Sequence, residues 1–142
     1  MAKQQKFTWI LPDGYDPDDL PSIAADIRVF IKDRSQAGFA VKGNKVFEFP
    51  EYNDEYRKAM KGNQRRVDLT LSEEMLDSIE VLKITGRKVT LGFEAGSEQN
   101  AKAEGNQIGS YGRSPNPKKA RPFLGLTDTE ADAILGAYDK LQ

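Results

Sequence analysis

The tetrapeptide Thr127-Asp128-Thr129-Glu130 constrains this chain more tightly than any other stretch. It has the form of a capping box. The Thr127 hydroxyl can accept from the Glu130 amide while the Glu130 carboxylate reaches back to the Thr127 amide. Beyond it Ala131, Ile134, Leu135, Tyr138 and Leu141 recur at helical spacing, so a packed helix is expected from there to the end of the sequence. Just upstream, Lys118, Lys119 and Arg121 form a cationic stretch that passes through Pro122 into apolar Phe123 and Leu124. A loop, a short apolar segment and a helix closing a small domain would account for this order by themselves.

The remaining periodicities mix helix and strand. Ile23, Ala24, Ile27, Phe30 and Ile31 make one apolar face, with Arg28, Lys32 and Arg34 expected opposite it, which gives a helix over 21–36. Asp16, Asp18, Asp19 and Pro21 suit its first turn and Gly38 its stop. Phe7 to Leu11 reads as a short strand ended by Pro12-Asp13-Gly14. Val41 to Phe49, interrupted by Gly43-Asn44, reads as a small hairpin. Tyr52 to Met60 reads as helical, Val67 to Leu71 as a half-buried strand, and Ser72 as the cap of a short helix carrying Met75, Leu76 and Ile79. Val81–Thr85 and Lys88–Phe93, joined through Thr85-Gly86-Arg87, predict an antiparallel hairpin. Ser97 to Gln107 is helix-prone despite Gly105, and Gly109 to Pro117 is rich in turn formers.

The expected class is therefore α+β: an antiparallel sheet with a long N-terminal helix, short helices and a capped C-terminal helix. A chain of 142 residues supports one core. The expected division is an extended arm over 1–19 and a single domain over 20–142, with a mobile loop at 109–119.

The chain has no cysteine and no histidine, which excludes disulfides, thiolate or imidazole zinc sites, cysteine nucleophiles and histidine triads. Asp13, Asp16, Asp18 and Asp19 lack the closing Glu of a calcium loop and suit a helix start. Gly105, Gly109 and Gly112 follow no strand at the spacing of a dinucleotide site, and nothing pairs Ser72 with Lys83. No enzyme, metal or cofactor is expected. No apolar run approaches the ~20 residues that span a bilayer, so the expectation is a soluble chain made in the cytosol, with no membrane partner.

Lys and Arg number 21 against 22 Asp and Glu, a net charge of −1, so no global field gathers nucleic acid. Two local runs stand out: Arg57, Lys58, Lys61, Arg65 and Arg66, then Arg113, Lys118, Lys119 and Arg121. With Tyr56 and Tyr111 they suggest one alternative, a nucleic-acid-binding module built on segments 57–66 and 113–121. The balanced charge favours solvated faces or rim residues instead. Phe7, Trp9, Ile10 and Leu11 in a terminal arm either complete their own core or add to a neighbour's sheet edge. Phe123 and Leu124 suit the core or an interface, with the core favoured by the capped helix that follows.

Leu69-Thr70-Leu71-Ser72-Glu73-Glu74-Met75-Leu76-Asp77-Ser78-Ile79 resembles an element of the virion-morphogenesis (tail-completion) proteins of tailed bacteriophages. The strand Val89-Thr90-Leu91-Gly92-Phe93 is similar to the one that follows in that family, and Ala103, Gln107 and Gly109 match its next helix. Ala120-Arg121-Pro122-Phe123-Leu124-Gly125-Leu126 is similar to its closing signature, and the order agrees over roughly residues 20–140. Asn106 stands where histidine is common, and Glu73 where glycine is usual. The resemblance implies a non-enzymatic structural protein of the virion, assembled in the host cytoplasm. It would form a ring at the head–tail neck that joins the tail to the DNA-filled head. Its partners would be copies of itself, adjacent neck and tail proteins, and double-stranded DNA passing through the lumen. On that reading Phe7, Trp9, Ile10, Leu11, Arg121 and Phe123 are candidates for a subunit interface. Arg113, Lys118 and Lys119 are candidates for a basic loop facing a partner or the lumen.

Overall fold

The computed structural model describes residues 3–48, 73–108 and 122–141. Strand β1 (Lys6–Ile10) leads through a 3-10 turn (Pro17–Asp19) into α1 (Leu20–Gln36), followed by β2 (Phe39–Lys42) and β3 (Lys45–Glu48). After the undescribed 49–72 come α2 (Glu73–Asp77), β4 (Glu80–Thr85), β5 (Lys88–Gly92), α3 (Glu98–Ile108) and α4 (Asp128–Leu135). The class is α+β. The expected helix at 52–60, strand at 67–71 and loop at 109–119 lie outside the described residues.

Each element follows from local chemistry. Asp16 accepts from the Asp18 amide at 2.9 Å and caps the 3-10 turn, and Pro17 and Pro21 sit where the missing amide costs nothing. In α1 the buried positions are Leu20, Ile23, Ala24, Ile27, Ile31, Arg34 and Ser35, a helical stripe. Arg34 was expected on the solvent face; it continues the Ile27–Ile31 row and is buried. Gly38 has φ 93, the left-handed conformation that lets the chain leave the helix and turn into β2. The hairpins turn at Gly43 and Gly86, both with positive φ.

Strand β5 is the centre of a three-stranded antiparallel sheet in the order β1-β5-β4, and β2 and β3 form a separate ribbon. Phe7 lies opposite Leu91 and Trp9 opposite Val89; across β4, Val81 lies opposite Leu91 and Ile84 opposite Val89. These rows share the inner face. A register shift between Val81 and Lys83 marks a bulge at Leu82. On the outer face the Thr8 and Thr90 hydroxyls meet at 3.1 Å. Gly92 is required where β1 begins, because a Cβ there would lie 2.3 Å from the Gln5 carbonyl oxygen. One core joins these layers: Leu20, Ile23, Ala24, Ile27 and Ile31 of α1 pack with Val89 and Leu91 of β5, Met75 and Leu76 of α2, and Phe93 and Phe123.

Two further expectations are corrected. The segment expected as an arm is built into its own domain. β1 pairs along its length with β5, the Leu11 amide bonds the Arg87 carbonyl at 2.8 Å, and Leu11 is 1% exposed. Burying such a leucine contributes about 2 kcal/mol, which a free arm would forgo. The Arg87 guanidinium also binds the carbonyls of Leu11, Pro12 and Tyr15. The C-terminal helix ends at Leu135 with Gly136 as its cap rather than continuing to Leu141. The chain then doubles back so that Lys140 bridges Tyr15 and the Leu141 amide bonds the Gly14 carbonyl at 2.6 Å. Among the described residues no helix is long and apolar enough to cross a membrane.

Candidate functional site

Residues 122–127 have no regular backbone ladder, so their polar groups need partners from elsewhere. Four elements supply them. The Pro122 carbonyl accepts from the Val41 amide of β2 at 2.8 Å. The Gln107 side-chain oxygen on α3 accepts from the Phe123 amide at 2.7 Å and the Leu124 amide at 3.3 Å. From α1, Arg34 donates to the Phe123 carbonyl at 2.5 Å and the Gly125 carbonyl at 3.2 Å. The Thr127 amide donates to Glu130 of α4 at 2.9 Å and the Glu130 amide to the Thr127 hydroxyl at 3.1 Å, which completes the capping box expected from the sequence.

Arg34 and Glu130 close the joint. Their side chains are 6% and 11% exposed, and a guanidinium nitrogen lies 2.8 Å from the carboxylate oxygen that also caps α4. Desolvation lowers the Arg34 pKa from its ordinary value, and the Glu130 charge and hydrogen bond pull it back up. The pair ties the last turn of α1 to the first turn of α4. Asn44, at the β2–β3 turn, accepts from the Asp128 amide at 2.7 Å on the far side of the same helix start. Gly125 leaves room for Val41, whose Cγ1 would stand 2.9 Å from a Cβ at that position.

A second clamp holds the start of β1. The buried side chain of Asn100 accepts from the Gln5 amide at 2.7 Å and donates to the Lys3 carbonyl at 3.1 Å. Its amide group thereby continues the pairing of this end of the chain on the side where β5 has stopped at Gly92. Asn106, also buried, donates to the Lys102 carbonyl at 3.0 Å and faces Met75. Neither asparagine announces itself in the sequence. Arg34 could have been found by extending the α1 stripe one further turn.

The candidate interface residues separate into groups. Leu11 and Phe123 are core, and Phe123 packs edge-on against Phe93 with ring centroids 6.1 Å apart. A partner therefore cannot reach them, because each is already enclosed by its own domain. Phe7 and Trp9 are half-buried against the core along β1, and Ile10 is 58% exposed on the outer face. Arg113, Lys118, Lys119 and Arg121, and the basic run at 57–66, lie outside the described residues. The described chain on either side of 109–121 ends at Ile108 on α3 and begins at Pro122 in the joint. Among the described residues no group of three or more carboxylates could hold a metal ion.

The fold and this joint define an α+β domain whose buried polar side chains grip backbone and fix where segments leave the core. No family model, curated protein or solved structure matches the chain.

Proposed function

We propose that this chain is a structural virion protein of a tailed bacteriophage, a ring-forming subunit at the head–tail neck that joins the tail to the DNA-filled head. The observation that supports the reading is the contact made by Gln107. Gln107 matches the family's helix, and Phe123 and Leu124 belong to its closing signature. These segments are separated in sequence, yet the Gln107 side chain holds both backbone amides. Ala103, one turn earlier on the same face, is fully buried, as the close approach of the segment requires. A resemblance carried by unrelated surface residues would have no reason to converge on one joint.

In this reading the side chains work by fit. The joint ties Gln107 to Phe123 and Leu124, and the basic residues Arg113, Lys118 and Lys119 are proposed to meet an adjacent ring or DNA. Virion localisation and the neck partners belong to the same proposal. The test is the particle assembled without this chain. DNA-filled heads beside finished, unattached tails are expected; particles that join and infect normally overturn the proposal.

A further inference from the structure

Among the described residues the three-stranded sheet ends on β1 at one side and β4 at the other, and these two edges match each other. Among the described residues no strand pairs with the outer side of β1 or of β4. The Gln5 carbonyl accepts from the Phe93 amide and the Leu11 amide donates to the Arg87 carbonyl, so these positions turn their backbone groups toward β5. By alternation Lys6, Thr8 and Ile10 turn theirs outward. On the other side Lys88, Thr90 and Gly92 of β5 bond toward Thr85, Lys83 and Glu80, which leaves Val81 and Ile84 of β4 turned outward. Val81 and Ile84 are also 37% and 39% exposed on the inner face, where the same rows end at Phe7 and Trp9 of β1.

We infer that β4 of one copy pairs with β1 of the next, joining the sheets head to tail; this rests on the ring reading above and names its contact. Strand direction, row matching and edge charge carry it. Both strands are antiparallel to β5, so they run the same way, and the next copy docks without being turned over. Such a contact is heterologous and can repeat until it closes. Continuing the rows straight across sets Val81 beside Phe7 of the next copy and Ile84 beside Trp9, apolar against apolar. In a parallel ladder Val81 then bonds the two residues flanking its row partner, Lys6 and Thr8, and Ile84 bonds Thr8 and Ile10. Those are the positions whose backbone groups turn outward. On the outer face the row Lys6–Gly92–Glu80 brings Glu80 against Lys6 of the next copy, an opposite-charge pair.

The test uses the full chain in sedimentation velocity. Val81→Lys with Ile84→Lys puts charges on the β4 edge, and Val29→Lys, on an α1 position that is 51% exposed, is the control. The edge variant is expected to sediment as a monomer while keeping the wild-type circular dichroism, with the control still assembled. Lys6→Glu and Glu80→Lys test the register. Each alone should weaken assembly several-fold, and combining the two changes in one chain should restore it, because every contact then regains opposite charges. Wild-type-like assembly of the edge variant, or a Lys6→Glu effect that adding Glu80→Lys in the same chain does not relieve, overturns the edge pairing and leaves the ring reading standing. A wild-type chain that never assembles overturns both.

Discussion

Tyr138 follows α4 and donates its hydroxyl hydrogen to the Asp26 carboxylate of α1 at 2.6 Å. Lost hydration, the hydrogen bond and the nearby charges of Asp26 and Asp19 push its phenol up from 10.0 to about 12. A raised folded-state value means that the neutral phenol favours the fold. The contribution is whole below pH 10 and is lost as the pH rises through about 12. Urea midpoints measured from pH 9 upward should therefore fall more steeply in the wild type than in Tyr138→Phe across that window. Equal slopes would contradict the assignment. Sequence spacing suggested a helical role for Tyr138, and its real partner lies more than a hundred residues away. Thr127 and Glu130 were legible because a capping box is closed within four residues. Arg34 and Asn100 were not, because each binds backbone distant in sequence.

The elements were more legible than their connections. Helix α1 and the hairpin β4–β5 follow from periodicity and from Gly38 and Gly86, signals that short-range sterics impose. The place of β1 did not follow, since an apolar pentapeptide suits its own sheet edge or a neighbour's equally well. The grip of Gln5, Asn100 and Arg87 decides it, and those are tertiary contacts. The same holds for the joint between α1 and α4. Arg34→Leu removes a charge that is paired and mostly buried, and leaves Glu130 and two carbonyls short of a donor. A destabilisation of about 3–5 kcal/mol is expected. Adding Glu130→Gln should recover part of it by removing the unpaired charge, a coupling that urea unfolding of the four-member cycle measures. A single-variant loss under about 1 kcal/mol, the range of exposed pairs, would mean that the joint is not held by this contact.

At the scale of the whole molecule, one core among the described residues unites the α1 layer, the sheet and the closing segment, and polar side chains inside it hold backbone in place. In the proposed ring the contacts between copies lie at the margins of this core, on the edges of β1 and β4. The α+β class was legible in the sequence, since helical and strand periods alternate along it. The two matching edges were not, because an edge exists only once strand order is known. The most direct test is the mass of the purified full chain followed by light scattering through a dilution series. A closed assembly at a fixed multiple of the 15.9 kDa subunit is expected. A 15.9 kDa particle at every concentration would contradict it.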